Sequence, residues 1–547
     1  MPDPFPPIGL KTDSHDRNPA IRLFGRRLFV DQTVPEILLE FLLVAASPKR
    51  VGSQGEPLSS ILVDMDVLRS WPNGHGLEYA PKARLNLKLF AFLGASKLDT
   101  RHETHRQHYR QLISNLSSPQ HLSKGNLGAD EILKTLENLF LGFQSVGSQR
   151  TWCAASFMPI AREVIADESI WRVTAARAGE VNGWESALPF FSHTQQLFLA
   201  RSGALLFLQI LNALRTDEDT IRHWADKAGL SLDQRESSPV HLHGAITSAL
   251  DSVLDACPAT VGQLAEFLDT GVDKDTAART DLQSGSNLPR FASCGWCPEE
   301  SWPEGLLFAV ELLRLCEAAI DPIERLEMLE IACGMQVLRS LCAQSVRYAP
   351  NNLSLGNDIG ALNYVWAFSD PSGSQTVTKQ ISRRNVNAVQ RLIHNAVRNP
   401  GLHIGLNGLT GRELKRIADD MDKRYGYKLF LTIAKRIGLI VPKRGSGARF
   451  VLNDKILRFL VLSLVRPGER IRYDTFKKLL LAHYGIAVDD AGLAAACVWS
   501  GTSRLTTLGG NADEWLIEML NAAGVMIRLS DSCSLVRNPF EGEEAAS

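Results

Sequence analysis

The stretch Thr410–Asn453 constrains the fold of this chain more than any other segment, because two helical patterns are followed there by a hairpin pattern. Thr410 and Glu413 have the spacing of a capping box, which predicts that a helix begins at this point. A second apolar pattern at helical spacing follows. Two short apolar runs, 439–441 and 450–452, then flank a glycine-containing turn. Helix, helix and hairpin in this order predict a winged helix, a variant of the helix-turn-helix class.

Basic side chains accompany this pattern. Several fall on one face of the second helix, opposite its apolar residues, and others lie in the hairpin. Cations that neutralise phosphates release counterions from DNA, and this release drives binding. We therefore predict that the segment binds double-stranded DNA, and the alternative is a solvated basic face on a protein-interaction domain. The candidate DNA-binding residues are Arg424, Lys428, Lys435, Arg436, Lys443, Arg444 and Arg449.

The charge of the chain is distributed unevenly, although its formal net value is only −1. Residues 376–540 contain 26 Lys+Arg and 13 Asp+Glu, whereas residues 1–375 contain 33 Lys+Arg and 44 Asp+Glu. A basic end on an acidic body is typical of a nucleic-acid-binding module attached to a part that contacts other proteins.

The fold class predicted from the pattern is mainly α, with a multi-helical body followed by tandem winged-helix (α+β) domains. Long apolar helical segments such as VPEILLEFLLVAAS and SGALLFLQILNAL indicate buried helices. Residues 128–235, including RTWCAASFMPIAREVI, are predicted as a run of helices, and residues 48–80 as a long loop. The predicted parts are a flexible tail (1–20), an N-terminal helical domain (21–235), a central helical domain (236–370), a first winged-helix domain (376–455) and a second (456–540).

The second winged helix is predicted from a repeat of the first. The segment AKRIGLIVPKRGSGARFVLN at 434–453 and the segment LNAAGVMIRLSDSCSLVRN at 520–538 both contain a helix end, a glycine, a short strand, a turn and a short strand. The helix before the second hairpin carries Glu514 and Glu518, which phosphates would repel. We therefore expect only the first copy to contact DNA through its helix, and the second to pack against the body, a partner or another copy of itself.

Two groups of metal-binding residue types are present, but neither has the spacing of a complete site. Three histidines three residues apart lie in RHETHRQHYR, which we interpret as a solvated helix, and a single CxxC has no second pair after it. No metal site and no cofactor are predicted. The residues concerned are His102, His105, His108, Cys294 and Cys297.

Motifs of the common catalytic classes are missing from the sequence. There is no GxxxxGK[ST] phosphate-binding loop, no convincing GxGxxG after a strand and no GxSxG elbow. No apolar run reaches about 18 residues, so no membrane span is predicted. Nine cysteines, an odd number, fit a reducing cytoplasm better than a disulfide scaffold. These features favour a cytoplasmic protein that is not an enzyme.

A family resemblance adds to this interpretation. The length, the helical body with RTWCAASFMPI and the basic segment ILRFLVLSLVRPGERIRYDTFKKLLLAHYGI resemble the DruB-like subunits of the Druantia bacterial anti-phage defence system, over most of the chain. The resemblance implies a cytoplasmic subunit that works beside a large helicase, and it implies no active-site residues. We therefore expect a non-catalytic subunit of an antiviral defence complex that binds duplex DNA through a basic winged helix and partner proteins through a helical body. The alternatives are a winged-helix transcriptional regulator and a pure protein-assembly scaffold.

Overall fold

The computed structural model shows a mainly α-helical chain with a few small sheets. Its described residues are 3–7, 18–25, 28, 30–96, 102–118, 128–146, 150–173, 175–193, 202–270, 291–349, 360–403, 406, 408–501, 511–530 and 533–540.

The helices of the body precede residue 350. They are α1 (Pro19–Phe24), α2 (Val34–Ala46), α3 (Met65–Arg69), α4 (Leu85–Phe92), α5 (Glu103–Leu116), α6 (Ala129–Gly142), α7 (Trp184–Ala187), α8 (Ser202–Leu214), α9 (Glu218–Ala228), α10 (Gln234–Ser237), α11 (Pro239–Leu254), α12 (Ala259–Thr270), α13 (Trp302–Glu317) and α14 (Pro322–Tyr348).

The helices of the basic C-terminal part follow. They are α15 (Thr376–Val397), α16 (Gly411–Arg424), α17 (Tyr427–Arg436), α18 (Asp454–Leu464), α19 (Tyr473–Tyr484), α20 (Asp490–Trp499) and α21 (Glu514–Ala522).

The strands are short. They are β1 (Pro4–Phe5), β2 (Lys49–Val51), β3 (Leu77–Tyr79), β4 (Gln144–Val146), β5 (Ser156–Phe157), β6 (Ser169–Trp171), β7 (Phe191–His193), β8 (Ala292–Ser293), β9 (Cys297–Pro298), β10 (Trp366–Ala367), β11 (Ile440–Val441), β12 (Arg449–Phe450), β13 (Arg470–Arg472), β14 (Ile486–Ala487), β15 (Met526–Ser530) and β16 (Cys533–Arg537).

The centre of the body is α8, in which every residue is buried. It packs against α2 and α13. Glycines permit these close contacts, because a Cβ atom on Gly203 would overlap the backbone of α2 and one on Gly305 would overlap the backbone of α8. The burial of this helix agrees with its sequence pattern, which is apolar nearly all round.

The longest helix, α14, connects the body to the C-terminal part. Asp321 caps its N-terminus, accepting a hydrogen bond from the backbone N–H of Ile323 at 2.9 Å, and Pro322 occupies its first turn. The helix packs against α2 and α13 in the body and against α15 and α17 beyond it.

Two segments predicted as irregular contain strands. Within residues 48–80, β2 and β3 pair with each other, and β3 also pairs with β8. Within the predicted tail 1–20, β1 pairs with β9, and the Phe5 side chain is fully buried. The prediction of a long loop at 48–80 is therefore wrong for β2, α3 and β3, and β1 departs from the predicted flexible tail. Pairing with distant strands leaves no periodic signal in such short segments.

The segment RTWCAASFMPIAREVI is not the helix that its apolar spacing predicts. The structure gives single 3₁₀ turns at Trp152–Ala154 and Arg162–Val164, with the strand β5 between them. Trp152, Phe157 and Ile160, which stand at apolar positions of that spacing, are nevertheless buried. The spacing indicates which residues are buried in the core, but it does not indicate the backbone conformation that buries them.

The histidines of α5 lie against aromatic rings, which corrects the prediction of a solvated helix. His105 is buried, with its ring centroid 4.5 Å from that of Trp171, and its two nitrogens make no hydrogen bond within the described part of the chain. Burial lowers the pKa of His105 to about 3, so its imidazole is neutral at physiological pH. His108 stacks on Trp184 at 4.0 Å and lies 2.9 Å from the Asn86 amide oxygen.

The CxxC pair is also buried. Cys294 lies beside β8, and Cys297 lies in β9. Burial raises the pKa of the Cys297 thiol to about 12, so this thiol is protonated at physiological pH.

Two strand pairings connect the parts of the C-terminal region. The strand β10, which precedes α15, pairs in parallel with β14. Phe368 forms a bridge to Phe450 in β12. Farther along the chain, β13, β16 and β15 form a three-stranded antiparallel sheet in that order.

Buried ion pairs hold α18 against the body. The Arg314 guanidinium in α13 donates to the carbonyls of Ser463 and Leu464 at the end of α18, both at 3.2 Å. It also donates to Glu236 at 2.7 Å, and Arg466 donates to the second oxygen of the same carboxylate at 2.7 Å. Glu236 is thus shared between the body and the C-terminal part.

The charge on Glu236 predicts loss of stability in acid. Its burial alone would raise its pKa, but Arg314 and Arg466 override burial and lower the pKa from 4.5 to about 2. The ionised Glu236 carboxylate therefore contributes about 3 kcal/mol to the free energy of unfolding. This contribution is complete above pH 4.5 and is lost as the pH falls towards 2. We expect Glu236→Gln to be destabilised at pH 7 and to show a flatter decline below pH 4.5 than the natural chain, measured by urea unfolding. Parallel declines in the two proteins would contradict this.

Candidate nucleic-acid interface

The segment that the sequence singles out, Thr410–Asn453, folds as two helices and a hairpin. Glu413 accepts a hydrogen bond from the Thr410 backbone N–H at 2.8 Å, and its own N–H donates to the Thr410 hydroxyl at 3.4 Å. The helices α16 and α17 follow, and β11 pairs antiparallel with β12. The capping box, both helices and the hairpin are confirmed.

One side of α17 packs against the body. A Cβ atom on Gly334 of α14 would lie 3.2 Å from Ile437 and 3.6 Å from Ile433, so the absence of a side chain there lets the two helices approach closely. The apolar residues predicted for α17 are therefore buried, but part of their contact surface belongs to α14 and not to the segment itself.

The basic face predicted for α17 is divided by this packing. Lys428 is exposed near the start of the helix, and Lys435 is half-buried near its end. Arg436 donates a hydrogen bond to the backbone carbonyl of Gln32 at 2.6 Å. The sequence grouped these three cations on one face, whereas the structure uses Arg436 to hold the N-terminal segment against α17.

Arg449 has a structural role that its position in the hairpin did not reveal. Its side chain donates to the hydroxyl of Ser369 and the carbonyl of Asp370, both at 2.7 Å, and to the carbonyl of Pro371 at 2.9 Å. It is 8% exposed, and burial lowers the pKa of its guanidinium. The expectation that Arg449 presents its charge to a ligand is thus corrected, because its donors already have backbone and hydroxyl acceptors.

Arg424 lies on an exposed but largely neutralised helix. It pairs with Asp420 at 3.3 Å, and the neighbouring Lys423 pairs with Asp419 at 3.4 Å. Asp422 of the same helix binds Arg398 at 2.7 Å. Pairing between exposed residues of one helix is weak, so Arg424 can exchange its partner for a phosphate at little cost.

The turn between β11 and β12 presents the remaining candidates. Lys443 and Arg444 are exposed, and the glycines that follow them have positive φ angles, +96° at Gly445 and +85° at Gly447. Only glycine adopts such angles without strain, and the turn therefore keeps both cations at its tip.

Two cations of α15 lie beside the hairpin. A Cβ atom on Gly447, in the turn, would be 3.0 Å from a terminal nitrogen of Arg383. One on Gly373, in the loop before α15, would be 3.3 Å from the Lys379 ammonium and 3.1 Å from a terminal nitrogen of Arg449 in β12, so Lys379 lies near that strand. We call Lys379, Arg383, Lys443 and Arg444 the hairpin cation cluster. Within the described residues, no carboxylate lies within 4.0 Å of any of the four, although ion pairs are frequent elsewhere in the molecule.

Arg383 and Lys379 are not among the DNA-binding residues predicted from the sequence. A signal was present, because the two are four residues apart on one helix face. Their position beside the hairpin depends on the packing of α15 against β12 and could not be read from the sequence.

Other classes of site receive no support from the part of the chain that is described. No group of three or more His, Cys, Asp or Glu residues there could hold a metal ion. None of the described helices combines the length and the apolarity needed to cross a membrane.

Comparisons with known proteins found no match. No protein-family model, no curated protein and no solved structure matched this chain.

Proposed function

We propose that this chain is a non-catalytic subunit of a DNA-acting complex, and that the hairpin cation cluster binds the phosphate backbone of duplex DNA. The observation that carries the proposal is the set of four cations in and beside the β11–β12 hairpin, without carboxylate partners among the described residues. Cations kept free of internal partners are available to neutralise phosphates, and counterion release makes such contacts favourable. Lys428 and Arg424 extend the contact surface along the neighbouring helices.

In this proposal residues 376–455 and 456–540 are tandem winged helices. The order of helices and strands supports the assignment, since in each part a helix is followed directly by an antiparallel hairpin. The packing of α17 on α14 favours contact through the hairpin over insertion of that helix into the major groove. Contact would then depend on phosphates, with little choice of base sequence.

The body would bind partner proteins. Its acidic surplus, with 44 Asp+Glu against 33 Lys+Arg in residues 1–375, disfavours contact with DNA and supports this division of roles. The anti-phage context, the cytoplasmic location and a neighbouring large helicase enter the proposal from the resemblance to DruB-like subunits alone.

Reversing the charge of Lys443 and Arg444 tests the proposal. In the double variant Lys443→Glu/Arg444→Glu, we expect binding to a labelled duplex to weaken roughly tenfold at about 0.1 M salt, because two phosphate contacts are lost. The plot of log affinity against log salt should also become shallower by roughly two. Both quantities can be measured by fluorescence anisotropy at several salt concentrations.

The matched control reverses two exposed cations of the body, Arg106→Glu/Arg110→Glu, in α5. It changes the net charge equally and should leave affinity nearly unchanged. Equal losses of affinity in the two variants would mean that only the net charge of the protein matters, which would contradict a defined binding site. A transcriptional regulator would instead give a sharp footprint on one operator sequence, and an assembly scaffold would not bind DNA even at low salt.

A further inference from the structure

The register of the three-stranded sheet in the second C-terminal part places three arginines on one face. Arg470 in β13 lies directly opposite Arg537 in β16, and Arg472 lies opposite Leu535. Residues opposite one another point to the same side, and residues two apart on a strand also share a side. Arg470, Arg472 and Arg537 therefore form one surface, which we call the sheet arginine face.

The other side of this sheet is the buried one. Ile471, Val536 and Met526 lie opposite one another in the three strands, and Val536 is fully buried. By alternation the sheet arginine face points to solvent, and all three arginines are exposed. Half-buried Leu535 and Ile527 continue the same side of the sheet.

The charges of this face oppose one another. Like charges directly opposite in neighbouring strands destabilise a sheet, and Arg470 faces Arg537 in this way. Within the described chain no carboxylate lies within ion-pairing distance of either residue, and Arg537 donates to the Gly524 carbonyl at 3.3 Å. Arg472 has a weak partner in Asp474 at 3.6 Å, with both side chains more than 60% exposed. An external anion would offset the repulsion.

We propose that the sheet arginine face binds phosphates of the same duplex DNA that the hairpin cation cluster contacts. This inference rests on the proposed function. Arginine suits the role because its planar guanidinium binds a phosphate through two parallel hydrogen bonds. The partner is a polyanion rather than an acidic helix of another protein, since both unneutralised surfaces belong to a region with twice as many basic as acidic residues.

The inference revises the expectation for the second winged-helix domain. Glu514 and Glu518 are exposed on α21, so contact through that helix is still disfavoured. The sheet offers a different route, of which the alternation of Arg470 and Arg472 is only a weak signal in the sequence. The third arginine is distant in the sequence and joins them only through strand pairing.

The variant Arg470→Glu separates binding from folding. Glutamate opposite Arg537 converts a repulsive cross-strand pair into an attractive one, so the melting temperature should be unchanged or higher. Affinity for a labelled duplex of about three helical turns should nevertheless fall roughly fivefold, and the salt dependence should become shallower by about one. Weaker binding by a protein that is at least as stable is the result that supports the inference.

Three comparisons decide between the possible outcomes. If Arg470→Glu binds DNA like the body control Arg110→Glu while Lys443→Glu/Arg444→Glu is weakened, the inference fails and the proposed function stands. If the natural chain does not bind duplex at low salt, the proposed function fails. If poly-glutamate competes as strongly as DNA at equal charge and Arg470→Glu removes that competition, the face recognises carboxylates and the inference is overturned.

Discussion

Replacing Gly305 by alanine is expected to destabilise the protein by about 3 kcal/mol or more. The added methyl group would overlap the carbonyl oxygen of Gln209 and would lie 2.7 Å from its carbonyl carbon. These are backbone atoms of α8, which is buried on every side, so they cannot move aside as the end of a flexible side chain can. The two central helices α8 and α13 would have to separate, and the contacts along both would be lost.

A second glycine-to-alanine change provides the control. Gly244 lies in α11, is exposed, and has no atom within 4 Å of the position that its Cβ would occupy. Gly244→Ala should therefore stabilise the protein by about 0.4 to 1 kcal/mol, since alanine has fewer conformations to lose on folding. Urea unfolding of both variants measures the two free energies. Effects of the same sign would contradict the close contact between α8 and α13.

Local signals in the sequence were sufficient to predict several helices. Thr410 with Glu413 marked the start of α16, and Asp321-Pro322 marked the start of α14. In these cases the residues that fix the backbone lie within one helical turn of each other. The apolar circumference of SGALLFLQILNAL likewise predicted that α8 would be buried. Whether 376–455 and 456–540 are winged helices is still a proposal.

Long-range pairing accounts for what the sequence did not reveal. Trp152, Phe157 and Ile160 are spaced as in a helix, but β5, which contains Phe157, pairs with β4 instead. In the candidate site, Arg449 finds its acceptors about 80 residues away in the chain, and Arg436 finds its acceptor in Gln32. The sequence shows how many cations the segment contains. Whether each cation bonds to an acceptor within the protein or is exposed to solvent depends on the tertiary structure.

Replacing Glu311 by glutamine is expected to lower the free energy of unfolding by about 4 kcal/mol. The change removes one partner of a buried ion pair, and such changes typically cost about 3–5 kcal/mol of stability. Arg339 donates to the two carboxylate oxygens of Glu311 at 2.7 and 2.6 Å, and Nδ1–H of His483 donates to one of them at 2.8 Å. Burial would raise the pKa of Glu311, but the Arg339 charge and the His483 hydrogen bond lower it below its ordinary value. The carboxylate therefore joins α13 and α14 to α19.

The size of the effect follows from the burial of the guanidinium. Arg339 is fully buried, packs 4.6 Å from the Tyr484 ring, and finds its carboxylate acceptor in Glu311 among the described residues. Glutamine would keep the shape of the side chain but leave that charge without a counter-ion in a medium of low dielectric constant. The exposed pair of Glu327 and Lys455, 2.8 Å apart, is the control, and Glu327→Gln should cost less than about 1 kcal/mol.

Replacing both buried partners shows whether the unpaired charge or the lost hydrogen bonds cause most of the destabilisation. In Glu311→Leu/Arg339→Met no charge is left unpaired, so the double variant should lose less stability than Glu311→Gln alone, although it changes more atoms. Urea unfolding at pH 7 provides all three free energies. A double variant less stable than Glu311→Gln would mean that the hydrogen bonds and not the unpaired charge dominate. The helix α19 lies between β13 and β14 in the chain, so loss of this junction should also loosen the sheet arginine face relative to the body. Duplex binding by Glu311→Gln should then weaken at urea concentrations below the midpoint of its unfolding.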